Sequence, residues 1–149
     1  MKITIIGGGA AGLSAATNLM RLPEAQVTVV ERAQPGEAPG LGVALMHFSL
    51  ADLRLLNAKG FPAVEPIFIS IDRVAENVAG PDRGGALIRQ KRFQEMGYWG
   101  VKRASLLAFL TETALGAGAR IEYGRDLGEE ELRSLRAESL RKSSTRCPT

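Results

Sequence analysis

Two short apolar runs with one shared pattern stand at the start of the chain. Residues 3–6 and residues 27–30 both read apolar-Thr-apolar-apolar, which predicts two strands of a parallel sheet covered on both faces. Between them, residues 10–22 place small and apolar side chains at helical spacing, and Pro23 ends that helix. The order strand, helix, strand predicts a βαβ unit and an α/β fold.

The rest of the pattern adds elements of both kinds. A second clear helix is predicted at residues 102–115, where Leu106, Leu110 and Thr113 form a stripe. Ser49 is predicted to cap another helix that ends near Gly60. The remaining segments are a short apolar stretch at 43–46, strands at 67–71, 86–89 and 119–123, a turn at 80–85, and a short helix at 129–142.

The turn after the first strand has the spacing Gly-x-Gly-x-x-Gly, which is typical of dinucleotide-binding βαβ units. Gly7 lets the chain turn tightly, Gly9 lets a pyrophosphate approach the backbone, and Gly12 lets the helix lie close to the strand. The unpaired N–H groups of the first helical turn would then bind the phosphates. A βαβ unit that binds no nucleotide remains the alternative.

An acid, Glu31, follows the second apolar run at the offset expected for this fingerprint. Its carboxylate can accept hydrogen bonds from adenosine ribose hydroxyls, and its charge would repel a 2′-phosphate. The fingerprint therefore favours FAD or NAD over NADP.

Charge and composition narrow the class of partner. The net charge is −1 over residues 1–131 and +4 over residues 132–149, so the basic character belongs to the tail and we expect no nucleic-acid partner. No apolar run approaches the roughly 18 residues of a membrane span. Cys147 and His47 are single residues of their types, so we expect neither a disulfide nor a metal site.

Longer segments carry a family resemblance. Residues 7–13 (Gly-Gly-Gly-Ala-Ala-Gly-Leu), 29–32 (Val-Val-Glu-Arg) and 40–43 (Gly-Leu-Gly-Val) resemble the N-terminal part of class A FAD-dependent aromatic-ring monooxygenases. The likeness is greatest to the branch of tryptophan-derivative and aryl-CoA hydroxylases. Residues 97–103, before Leu106-Leu107, resemble the family's Gly-aromatic-x-Gly-apolar-x-Arg segment, which opens a helix. The resemblance covers about residues 1–126.

The resemblance implies a set of FAD-binding residues and no catalytic side chain. Three glycines of the turn would hold the pyrophosphate, Glu31 the adenosine ribose, and Arg103 the phosphate and ribityl portion, while Gly42 and Val43 would lie near the flavin. The full set is Gly7, Gly8, Gly9, Ala10, Ala11, Gly12, Glu31, Arg32, Gly42, Val43 and Arg103.

The implied fold is a Rossmann-like FAD-binding domain with a mostly parallel sheet, incomplete here. The implied activity is hydroxylation of a small aromatic substrate with NAD(P)H and O2. Apart from the resemblance, the first residues show no basic segment leading into a long apolar stretch, so we expect a cytoplasmic protein. Family members are longer, and their later Asp-Gly and Gly-Asp segments and substrate sheet have no counterpart in the sequence. We therefore expect a partial FAD-binding domain at residues 1–127, a polar basic tail at 128–149 that is disordered or weakly helical, and no turnover by the isolated chain. The expected cause is a truncation or a reading-frame shift.

Two other functions stay open on the residues alone. One is a fragment of an NAD-dependent dehydrogenase, which would not need the Arg103 segment. The other is a noncatalytic nucleotide-binding or interaction module that docks a partner through its basic tail. An unfinished edge of the sheet would in addition favour self-association.

Overall fold

The computed structural model describes residues 1–37, 40–71, 73–79, 85–92 and 97–144. Strands and helices make up most of this length, and a short 3-10 turn occupies Glu65–Ile67. The elements, in chain order, are β1 Lys2–Ile6, α1 Ala10–Leu19, β2 Gln26–Val30, β3 Gly42–Met46, α2 His47–Leu56, α3 Phe61–Val64, β4 Ile69–Ile71, β5 Arg73–Ala79, β6 Gly85–Arg92, β7 Tyr98–Lys102, α4 Arg103–Gly116, β8 Arg120–Glu122 and α5 Glu129–Ser144.

The first sheet is parallel and has the strand order β1-β2-β8. Ile5 lies beside Val29, and Val29 lies beside Ile121, so β2 is the central strand. Helices α1 and α4 pack against each other and supply much of the core. Leu13 of α1 and Leu110 of α4 are both almost fully buried. The predicted α/β fold with a βαβ unit and a parallel sheet is confirmed.

Two antiparallel sheets were not predicted. The strand β7 lies between β3 and β4 in one of them, and β5 pairs with β6 in the other. The sequence indicated only a helix opening at residues 97–103, but five of those residues form β7 before α4 begins at Arg103. Gly100 sits in the middle of β7, which removes the apolar alternation by which a strand is recognised. The predicted turn at 80–85 lies, apart from Gly85, outside the described residues.

Three predicted helix boundaries were wrong, and one of them is the end of α2, which lies at Leu56 rather than near Gly60. Helix α1 ends at Leu19 rather than at residue 22, because the amides of Arg21 and Leu22 bond three residues back, each at 3.1 Å. Helix α2 begins at His47, two residues before the predicted cap, and its N-cap is Met46. The helix predicted at 129–142 is present as α5, with an ion pair of 2.6 Å between Glu129 and Arg133.

The expectation that both strands of the βαβ unit are covered on both faces was wrong for β1. Its residues alternate between exposed and half-buried, and Ile6 is 58% exposed. In β2, by contrast, Val27, Val29 and Val30 are all buried. The carboxyl ends of these two strands, with their different surroundings, meet at the predicted site.

Candidate functional site

The turn after β1 is tightly built around two glycines. Gly7 has a φ of +101°, a left-handed conformation that favours glycine, and its N–H donates to the carbonyl of Val30 at 2.8 Å. A Cβ on Gly12 would lie 2.0 Å from the carbonyl oxygen of Gly7. The start of α1 can therefore lie against the end of β1 only if residue 12 has no side chain.

Gly9 forms the N-cap of α1 and borders open space. A Cβ placed there would meet no atom within 4 Å among the described residues. No side chain of the described residues caps this helix, and its first turn carries no acid. The N–H groups of that turn and the positive end of the helix dipole are therefore available to an anion beside Gly9.

The side chain of Glu31 links the turn after β1 to the loop after β2 through hydrogen bonds. Its Oε2 accepts a hydrogen bond from the backbone N–H of Gly8, and its Oε1 accepts one from the backbone N–H of Ala33 at 2.8 Å. Hydrogen bonding by Ala33 most of all, with smaller contributions from Gly8 and Arg32, lowers the pKa of Glu31 below its usual value near 4.5, although desolvation opposes the shift. The carboxylate is therefore ionised at neutral pH.

A cavity of about 670 Å³ opens beside this carboxylate. It is bounded by the turn after β1, the loop after β2, one face of α4 and Tyr123 after β8. Five of the residues predicted to bind a cofactor line it: Gly8, Gly9, Glu31, Arg32 and Arg103. The structure thus brings together residues that are up to 95 positions apart in the sequence.

The other predicted site residues lie outside this lining. Gly7 and Gly12 shape the turn, and Ala10 and Ala11 stand in the first turn of α1. Gly42 and Val43 are in β3, paired with Lys102 and Val101 immediately before α4. The nearby Gly40, with a φ of +111°, approaches the cavity more closely, because a Cβ there would lie 3.2 Å from Cδ of Arg103.

Sequence reasoning missed most of the far wall of the cavity. That wall contains the loop residues 33–37, Tyr123, and the α4 residues Ala104, Leu107, Ala108, Thr111 and Glu112. A signal was present on α4, since Ala104, Ala108 and Thr111 recur at helical spacing opposite the apolar stripe. Small side chains along one helix face leave room for a ligand beside the backbone.

Neither a metal-ligand cluster nor a membrane-spanning helix occurs in the described residues. No cluster of three or more His, Cys, Asp or Glu side chains that could hold a metal ion occurs there. None of the helices in the described part of the chain is long and apolar enough to cross a membrane.

Comparison with known proteins gives a family match and a set of solved structures of similar fold. The profile of a family described as FAD dependent oxidoreductase matches residues 2–144. No curated protein sequence matches the chain significantly.

Among solved structures, a tetrameric form of 2-methyl-3-hydroxypyridine-5-carboxylic acid oxygenase is similar at 24% identity and a TM-score of 0.62, over 83% of this chain and 31% of that one. FqzB is similar at 17% identity and a TM-score of 0.67, over 87% of this chain and 29% of its own. CtdE, solved with FAD and a substrate, is similar at 18% identity and a TM-score of 0.64, over 85% and 30%. The chain therefore spans about a third of the length of these structures and shares their fold.

Proposed function

The chain belongs to the FAD-dependent oxidoreductase family, and from that premise we propose that it is the FAD-binding portion of a flavin-dependent monooxygenase. In the proposed reaction NAD(P)H is the reductant, O2 the oxidant and a small aromatic molecule the substrate. Bound FAD would supply the redox chemistry, while the protein positions the cofactor and tunes its surroundings. We further propose a cytoplasmic location and no turnover by these 149 residues alone.

The observation that carries the proposal is the convergence of three complementary features on one cavity. The open backbone at Gly9 and the uncapped start of α1 suit a pyrophosphate. The carboxylate of Glu31 suits ribose hydroxyls, and the guanidinium of Arg103 suits a phosphate oxygen. An extended adenine dinucleotide carries ribose hydroxyls and phosphate groups one after the other along its length, so it can meet all three features at once.

The hydrogen bonds already made by Glu31 are compatible with this role. A carboxylate offers about four acceptor positions, and the N–H groups of Gly8 and Ala33 occupy one on each oxygen. Acceptor positions therefore remain for the ribose hydroxyls. A 2′-phosphate would meet the ionised carboxylate, which supports selection against NADP.

The family match favours FAD over the NAD-dependent dehydrogenase considered from sequence. A noncatalytic nucleotide-binding module would use the same cavity. It would differ from the proposed monooxygenase portion in lacking turnover, and its nucleotide binding would be the same. The solved structures of similar fold support the fold on which hydroxylation of an aromatic compound with NAD(P)H is proposed.

Titration of the purified chain with FAD, NAD and NADP tests the proposal, with quenching of flavin fluorescence and calorimetry as readouts. We expect FAD to bind most tightly and NADP most weakly. Gly9→Val should abolish FAD binding while leaving the far-UV circular dichroism intact, because its Cβ occupies only open space.

Gly128→Val is the matched control, since a Cβ there also meets no atom of the described residues within 4 Å and lies outside the cavity. It should bind FAD as the unmodified chain does. Unchanged FAD affinity in Gly9→Val, or NADP binding as tight as that of FAD, would contradict the proposed site.

A further inference from the structure

Three carboxylates line the cavity, and two of them are already engaged by backbone donors. Glu31 accepts from Gly8 and Ala33. Glu37 accepts from the backbone N–H of Gln34 at 2.9 Å, which closes the loop after β2. The third, Glu112, makes no hydrogen bond or ion pair with any other described residue. It is therefore the acid of this lining whose acceptor positions are all left for a ligand.

The position of Glu112 on α4 relates it to the phosphate end of the cavity. Arg103 and Glu112 both line the cavity, and Glu112 also borders a second cavity that α1 and α4 line. The two residues are nine positions apart, which corresponds to about 13–14 Å along a helix. Arg103 lies near Gly40 at the start of α4. A span of this size is comparable to an extended adenosine diphosphate, so the Glu112 end is suited to the base rather than to the phosphates.

Charge favours the same orientation. An acid without a compensating cation repels a phosphate and accepts a hydrogen bond from a neutral donor. Adenine carries such a donor, the 6-amino group. Tyr123, half-buried in the same lining, adds an aromatic face on which a base can stack.

We propose that Glu112 is the residue that selects adenine, through a hydrogen bond from the 6-amino group to its carboxylate, with Tyr123 as the stacking surface. This inference rests on the proposed FAD site and specifies how that site recognises the adenine end. It assigns to Glu112 a role in specificity and no role in the redox chemistry.

The experiment compares FAD with flavin purine dinucleotide, in which a hydrogen atom replaces the 6-amino group of adenine. The unmodified chain should bind FAD about fivefold more tightly, as expected for loss of one partly exposed hydrogen bond. Glu112→Ala should bind the two dinucleotides equally. Glu112→Gln should retain part of the preference, because its amide oxygen still accepts a hydrogen bond.

Glu130→Gln is the matched control, because it removes one carboxylate from the exposed start of α5, outside the cavity. It should keep the full fivefold preference. Thermal midpoints of all variants should agree within a few degrees, since Glu112 is exposed and does not belong to the buried core.

Three results would overturn the inference, and they distinguish its failure from failure of the proposed function. Tight and equal binding of both dinucleotides by the unmodified chain would leave the FAD site intact and remove the role of Glu112. If Glu112→Ala still binds FAD more tightly than flavin purine dinucleotide, the FAD site likewise stands and the role of Glu112 is removed. Failure of the unmodified chain to bind either dinucleotide would overturn the proposed function and this inference together.

Discussion

Strands β1 and β2 have the same apolar-Thr-apolar-apolar pattern and nevertheless differ in burial. In β2, Val29 is fully buried and Val30 is 4% exposed. In β1, the residues paired with them, Ile5 and Ile6, are half-buried and 58% exposed. The shared sequence pattern therefore predicted two equally buried strands, but the two strands differ in burial because their surroundings in the sheet differ.

The difference follows from the position of each strand in the sheet. In the described structure β2 has a neighbour on each side, whereas β1 is paired on one side only. Helix α1 packs against β2, where Val27 and Val29 lie within the core, while Ile3 and Ile5 of β1 are partly buried against it. An apolar pattern thus indicates a strand, but the number of neighbours decides how much surface that strand buries.

The largest effect that we expect is from shortening the core side chain of the central strand. Val29→Ala should lower the free energy of unfolding by about 2 kcal/mol, because it leaves a cavity at a fully buried site. Ile6→Ala, at the matching end of β1, should change it by less than about 0.5 kcal/mol. Urea denaturation measures both, and similar losses for the two variants would show that β1 is covered in solution.

A smaller effect is expected where the two strands are tied together by Glu31. Glu31→Gln should lower the free energy of unfolding by about 1–2 kcal/mol at neutral pH, because charged acceptors form stronger hydrogen bonds with backbone N–H groups. The pKa of Glu31 is lowered in the folded protein, so its stabilisation is complete above pH 4.5 and is lost as the pH falls through the folded value.

The difference between the unmodified chain and Glu31→Gln should therefore narrow only below pH 4.5 when urea denaturation is repeated between pH 7 and pH 3. A difference that already shrinks between pH 7 and pH 5 would contradict the lowered pKa.

Removal of the residues after Gly128 tests the other edge of the sheet. Helix α5 is joined to the end of β8 through Arg125, which pairs with both Glu122 and Glu131. All three side chains are largely exposed, and exposed ion pairs contribute up to about 1 kcal/mol. We expect a thermal midpoint lower by no more than a few degrees, and a collapse of the folded state would show that α5 completes the fold.

The smallest effect on stability is expected from a substitution at the surface of β1. Such a substitution should instead change how strongly the chain associates with itself. We propose that the uncovered β1 edge lets the chain associate with itself. Ile6→Lys places a charge at that edge and should reduce association while changing the thermal midpoint little. Sedimentation velocity of Ile6→Lys beside Leu41→Lys, a control at an exposed apolar residue outside the strands, measures this. Equal sedimentation of all three proteins would exclude β1 as the interface.

Local signals predicted much of the site because its parts depend on local geometry. The conformation of Gly7 and the close approach at Gly12 follow from the spacing of a turn between a strand and a helix. The position of Glu31 follows from the length of one βα unit. The strand β7 was missed because Gly100 interrupts its pattern and its partners are β3 and β4, which lie far from it in the sequence.

The sequence by itself determined the βαβ unit, the glycine-rich turn after β1 and the acid that follows β2, because each depends on steric and hydrogen-bonding rules within about 30 residues. Only the tertiary structure decided that β1 is less buried than β2, that α4 turns Arg103 and Glu112 towards the same cavity, and that Tyr123 closes it. Those features arise from the packing of α4 and β8 against the first unit. Such contacts between distant segments leave no periodic trace in a single chain.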